Sequence, residues 1–169
     1  MMRLFIAVNL SPEMKAALTE AQRAMYDRGV RGNFTPEENL HLTLAFIGEY
    51  PSEDDVMDAL SNVTFTPFEL ALDGVGRFGD LWWAGLRESA ALTAVVRRVR
   101  RALAESGIPF DRKRFAPHIT LLRKASRDAA GVTIAPAAMT VRAVSLMSSR
   151  RGRNGMIYTE VGTIEANPV

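Results

Sequence analysis

The chain has only two histidines, and both stand in the same tetrapeptide: His41-Leu42-Thr43-Leu44 and His118-Ile119-Thr120-Leu121. With 11 Thr and 16 Leu in 169 residues, Thr-Leu would follow both histidines by chance about 4 times in 100,000, so the repeat reads as functional. A lone histidine on a half-buried strand is more often a satisfied core residue; the duplication is what argues otherwise. Side chains on a strand alternate between faces. His41 and Thr43 therefore point one way, about 7 Å apart along the strand, while Leu42 and Leu44 anchor the opposite face. The second copy presents His118 and Thr120 over Ile119 and Leu121 in the same manner. Two imidazoles and two hydroxyls fit in-line cleavage of a phosphate ester. One imidazole takes a proton from the attacking water, and the other, protonated, donates to the leaving oxygen. An ordinary histidine pKa near 6.5 allows both forms near neutral pH, and the threonine hydroxyls can hydrogen-bond phosphate oxygens. Other chemistries fit less well. Two histidines without a nearby carboxylate cluster are too few ligands for zinc. No G-x-S-x-G elbow is present. The chain has no cysteine, which excludes disulfides, thiolate metal sites and a cysteine nucleophile.

Positioning two such strands requires a scaffold, and the sequence outlines one. Residues 4–8 read as a first strand. Ser11 caps a helix that Pro12 opens, and Met14, Ala17, Leu18, Ala21 and Met25 form its apolar stripe up to Gly29. Residues 33–38 read as a polar loop. Residues 40–47 read as a strand closed by Gly48, followed by a short helix capped by Ser52. Residues 68–72 and 81–86 are expected strands around a turn containing Gly74, Gly76 and Gly79. A long helix spans about 89–106, with Leu92, Val95, Val96, Val99 and Leu103 buried and Gly107 as its stop. Residues 118–122, 141–147 and 156–161 complete the strands, the last two joined by an Arg/Gly-rich turn. The order implies an α+β fold with mainly antiparallel sheet. No linker divides residues 1–169, which read as one domain of two similar lobes, each giving one H-x-T-L strand to a shared cleft.

Hydrophobic residues make up 47% and charged residues 24%, ordinary values for a globular chain able to bury a core without covalent staples. No apolar stretch has the length of a membrane span, and the N-terminal run lacks the form of a signal peptide; a cytoplasmic protein is expected. The net charge is +2 but unevenly spread: residues 1–84 carry 6 basic and 13 acidic side chains, residues 85–169 carry 15 and 6. Of the 21 basic residues 18 are arginine, whose fork binds phosphate bidentately. They cluster between Arg97 and Arg127 and again at Arg150, Arg151 and Arg153. A polyanionic ligand and a merely solvated basic surface both remain open on charge alone.

The chain also resembles a known family, the 2H phosphoesterases, and within it the RNA 2′,3′-cyclic phosphodiesterases, also called 2′-5′ RNA ligases. The likeness runs over Arg3-Leu4-Phe5-Ile6-Ala7, the stretch from His41 to Gly48, Leu81 to Leu86, Arg114-Phe115-Ala116-Pro117-His118-Ile119-Thr120-Leu121-Leu122-Arg123, and a closing hairpin through Ser148 and Tyr158. The resemblance implies a bilobal pseudo-twofold fold, with antiparallel sheets around a central cleft and helices outside. It implies hydrolysis of RNA 2′,3′-cyclic phosphate ends to 2′-phosphates, and a reversible, ATP-independent 2′-5′ ligation. The implied partner is RNA with such an end, tRNA halves included, and no metal or organic cofactor is implied. His41 would be the general acid and His118 the general base, an order that the pseudo-symmetry of the lobes leaves open. Thr43, Thr120 and Arg123 would bind the phosphate.

Weaker candidates remain. Phe46 shares strand parity with Leu42 and Leu44 and is expected in the core. Phe115 is a candidate base-stacking residue or a core residue. Trp82 and Trp83, being adjacent, face opposite sides of their strand. Arg150 and Arg151 are candidate RNA contacts or part of a solvated turn. Two other readings stay open: a phosphoesterase acting on small cyclic nucleotides or ADP-ribose cyclic phosphate, and a nucleotide- or RNA-binding module without turnover. Salt dependence separates the first from an RNA enzyme; product formation separates the second. A monomer is expected, since two lobes in one chain already complete the cleft.

Overall fold

The computed structural model describes residues 2–168. Its elements run β1 (Met2–Asn9), α1 (Pro12–Asp27), β2 (Asn33–Phe34), β3 (His41–Tyr50), α2 (Glu53–Leu60), β4 (Phe68–Phe78), β5 (Leu81–Leu86), α3 (Ala90–Glu105), β6 (His118–Arg123), β7 (Ala138–Val141), β8 (Ala143–Gly152) and β9 (Gly155–Glu165). They form two sheets, one ordered β3-β1-β8-β9 and the other β2-β6-β5-β4-β7, in which neighbouring strands run antiparallel. The α+β expectation therefore holds, with one H-x-T-L strand in each sheet. Among the described residues no helix is long and apolar enough to cross a membrane.

The caps read at Ser11 and Ser52 are in place, and Ser89 adds a third at the start of α3. Ser11, Ser52 and Ser89 each accept the backbone N–H three residues on, at 3.2, 3.1 and 3.0 Å, satisfying donors that a helix start leaves free. The predicted stripe of α1 is buried, together with Gln22. The helices pack crosswise to chain order. Helix α1 follows β1 of the four-stranded sheet but packs on β6 and β7 of the five-stranded one, while α3 follows β5 of the five-stranded sheet and packs on β3 of the four-stranded one as well as on β4. One apolar cluster joins both, from Leu4, Ile6 and Val8 through Leu42 and Leu44 to Ala84, Ile119 and Leu121.

Several boundaries differ from expectation. Strand β3 continues past Gly48, which sits at φ +85°, to Tyr50. Gly74 and Gly76 lie inside β4, and only Gly79 belongs to the turn. Gly76 is needed for close approach, because a Cβ there would fall within the Trp83 ring, 2.8 Å from Cζ3. The strand expected over 141–147 is two strands: β7 ends at Val141 in the five-stranded sheet, and β8 starts at Ala143 in the four-stranded one. Residues 33–34, read as loop, pair with Arg123 and Leu122 as β2.

Candidate active site

Both histidines open their strands from the two sheets and line one cleft of about 370 Å³ with Thr43, Thr120 and Arg123. The structure thus brings together all five residues that the sequence and the resemblance place at the phosphate. Each imidazole is oriented by the carbonyl two residues upstream: His41 Nδ1 donates to Asn39 O at 2.7 Å, and His118 Nδ1 donates to Ala116 O at 2.7 Å. A carbonyl only accepts, so Nδ1 carries a proton in both rings. Nε2 is then the atom of each ring that gains or loses one. His41 Nε2 lies 2.8 Å from Thr43 Oγ1, whose hydroxyl can donate to the neutral ring or accept from the charged one.

The walls around the two rings differ. His41 stacks at a tilt on Phe5, with centroids 5.0 Å apart, and meets the edge of Tyr158 at 5.3 Å and 89°. This burial pushes its pKa below 6.5; the hydrogen bond to Asn39 opposes the shift, and the positive charges of Arg123 and His118 add to it. His118 is half-buried, with the rings of Phe78 and Trp83 at 5.2 and 6.3 Å. Trp82 is the core member of the tryptophan pair, 5% exposed. Trp83 pairs with Thr120 on the cleft face.

Strand parity alone would send Arg123, five residues after His118, to the face opposite the histidine. A bulge reverses this. Trp83 pairs with Thr120 but Trp82 pairs with Leu122, so Leu121 is an extra residue and Arg123 returns to the cleft face. The first motif contains the same device. Ala7 pairs with Thr43 and Ile6 with Ala45, leaving Leu44 as the extra residue. Phe46 is therefore not a core residue as parity suggested: it is 38% exposed and lines the cleft, with the Arg3 guanidinium 5.4 Å from its ring centre. The final leucine of each H-x-T-L is the bulged residue, and the covering helix of each sheet reaches its carbonyl. Gln22 of α1 donates to Leu121 O at 2.9 Å, and Arg100 of α3 donates to Leu44 O at 3.4 Å.

The other candidates lie further out. Phe115 packs partly against the core and lines a groove beside the cleft. Arg151 pairs with Met156, a cleft-lining residue, and so shares the cleft face beyond Ser149; Arg150 pairs with Ile157 on the other face. Arg3, Phe5, Thr35, Asn39 and Tyr158 also line the cleft and were not singled out from the sequence. The alternation of Arg3 and Phe5 with buried Leu4 and Ile6 was the available signal for the first two. Among the described residues no group of three or more His, Asp or Glu gathers as a metal site would require.

A model of the 2'-5' RNA ligase superfamily matches residues 10–153. The chain is 36% identical over 153 residues to an RNA 2',3'-cyclic phosphodiesterase of Geobacillus stearothermophilus; that match covers 83% of this chain and 49% of the relative, so it spans about half of that protein's length. It is 31% identical to an RNA 2',3'-cyclic phosphodiesterase of Archaeoglobus fulgidus, over 97% of this chain and 100% of the relative. The structure superimposes on the crystal structure of E. coli LigT complexed with 3'-AMP with a TM-score of 0.83 and 29% identity, covering 99% of this chain and 98% of that one.

Proposed function

Since the chain belongs to the 2'-5' RNA ligase superfamily, we propose that it opens 2′,3′-cyclic phosphate ends of RNA to 2′-phosphates by two-histidine acid–base catalysis. The observation that carries this reading is the pair of imidazoles in one cleft, each with Nδ1 tied to a carbonyl at 2.7 Å and Nε2 left to exchange a proton. RNA 2',3'-cyclic phosphodiesterase is the name of the relatives above, which supports the substrate assignment.

The cyclic phosphate lies between the two strands, its free oxygens near Thr43, Thr120 and Arg123. His118 Nε2 takes a proton from water, and the resulting oxygen nucleophile attacks phosphorus in line with the 3′ oxygen. The bond from phosphorus to O3′ breaks, and His41 Nε2 delivers its proton to O3′, leaving a phosphate monoester on O2′. This assignment of acid and base follows the family resemblance. Charge accumulates on the equatorial oxygens in the transition state, where the Arg123 fork lies ready to stabilise it. Burial disfavours the imidazolium of free His41, so the acid's proton is taken up as the anionic phosphate enters and supplies the compensating charge. With an RNA 5′-hydroxyl in place of water, the same steps form a 2′-5′ diester, and microscopic reversibility makes that ligation reversible without ATP.

The test is to incubate an oligonucleotide ending in a 2′,3′-cyclic phosphate and to assign the product by phosphorus NMR. A 2′-monoester is expected. A 3′-monoester would overturn the regiochemistry, and binding without product would favour the non-catalytic module.

A further inference from the structure

Beside the cleft lies a second groove of about 390 Å³ that shares Thr43, Phe46 and His118 with it. Resting on the reading above, we propose that this groove receives the single-stranded nucleotides immediately 5′ of the cyclic end, making the enzyme selective for a polynucleotide over a mononucleotide.

The two faces of the groove come from different sheets. Phe46 of β3 and Phe78 of β4 are both large exposed aromatics, 38% and 50% accessible. Exposed rings at a groove lip suit base stacking, which tolerates any sequence because every base has a π-face. The rest of the wall is the segment before His118. Asp111 N donates to Phe46 O at 2.8 Å, which docks that segment on β3. Arg100 Nη1 donates to Lys113 O at 2.8 Å, and its guanidinium lies 5.9 Å from the Phe115 ring centre. Arg100 is thus committed to holding the wall. Lys113 and Arg114 have exposed side chains, and among the described residues neither forms a salt bridge. The acidic residue of the lining, Asp111, turns Oδ1 to Lys113 N at 2.9 Å, and the groove keeps a cationic excess from Arg100, Lys113 and Arg114. Aromatic faces beside free cations, continuous with the reacting phosphate, form the pattern that tracks a single strand: rings for bases and cations for the phosphates between them.

The arrangement also gives the cleft a direction. At the position five residues after each motif histidine, the second copy places Arg123 and the first places Phe46. One side of the phosphate meets a fork for oxygens, and the other meets a ring that leads into the groove.

The experiment compares kcat/KM for a 2′,3′-cyclic mononucleotide and for a short oligonucleotide with the same end, across a salt series. It uses the wild type and the double variant Lys113→Glu, Arg114→Glu. The hydrogen bonds at Lys113 use main-chain atoms only, so the fold tolerates the exchange, and circular dichroism verifies it. Two strand-phosphate contacts predict a log–log salt slope steeper by about 1.4 for the oligonucleotide than for the mononucleotide. The double variant is expected to lose this excess slope and to lower the oligonucleotide-to-mononucleotide ratio at least about 10-fold. An unchanged ratio with both substrates turned over would overturn the groove assignment and leave the proposed reaction standing. Turnover of neither substrate by the wild type would overturn the reaction and the groove with it.

Discussion

Replacing Arg123 with glutamine keeps the length of the side chain and removes its charge and fork. Arg3 and Arg123 are the arginines lining the cleft, with no carboxylate among the lining residues, and Arg3 already lies over Phe46 at 5.4 Å. Arg123 is therefore the guanidinium left for the phosphate. A unit charge about 4 Å away at an effective dielectric near 20 interacts by about 4 kcal/mol. Only the part that grows as charge develops in the transition state raises the rate, and comparable donors contribute about 100- to 1,000-fold in kcat. That is the loss expected for Arg123→Gln, with Arg123→Lys falling between it and wild type because charge is kept and the fork lost. The side chain is exposed, so the urea midpoint should stay in place. A second signal accompanies the rate. Arg123 is one of the charges that lower the His41 pKa, so the variant's His41 should titrate at higher pH. The chain has two histidines, and an NMR titration with His118→Ala as the assignment reference resolves them. A loss confined to KM would show that Arg123 binds ground and transition states equally. Turnover within about 5-fold of wild type, or an unmoved His41 titration, would refute the placement argued from the bulge.

Two further outcomes follow from the same geometry. Gln22→Leu removes the 2.9 Å hydrogen bonds from Gln22 Nε2 to Thr35 O and Leu121 O; a cost of about 1–3 kcal/mol in urea unfolding is expected. Because Leu121 is the bulge that turns Arg123 into the cleft, kcat should fall as well, and unchanged kcat alongside the lost stability would make the contact purely structural. The half-buried His41, walled by Phe5 and Tyr158, has a folded pKa below its unfolded value of 6.5, so the unfolded chain binds the proton first as pH falls. Its contribution to stability is complete above about pH 6.5 and is lost as pH drops toward the folded value. Wild type should lose more stability between pH 8 and pH 5.5 than His41→Gln does; equal losses would contradict the burial effect.

Much of this was legible in the sequence because local rules and tertiary structure agree. Ser11 and Ser52 cap as their types dictate, and the stripes of α1 and α3 are buried as spaced. The two H-x-T-L copies meet in one cleft because each pairs an outward imidazole with an apolar back face. The errors cluster where alternation breaks. A bulge leaves no mark on composition, so Phe46 was placed in the core although Leu44 shifts it to the cleft face. The same shift brings Arg123 inward, which only the resemblance indicated. The division at Arg142 was hidden because residues 141–147 read as one strand, and only the partner strands reveal that two sheets share the stretch. The crossing of α1 and α3 between sheets is likewise a property of packing that no short window carries.

The central claim is that two imidazoles move the protons, and the most direct test is turnover of a 2′,3′-cyclic-phosphate oligonucleotide in EDTA by wild type, His41→Ala, His118→Ala and the double variant. Full wild-type activity is expected, with each single variant losing at least about 100-fold while keeping its fold. The double variant should lose little more than the worse single one, because the pair acts as a unit. Near-wild-type turnover in either single variant, or a wild type silenced by EDTA, would contradict the account.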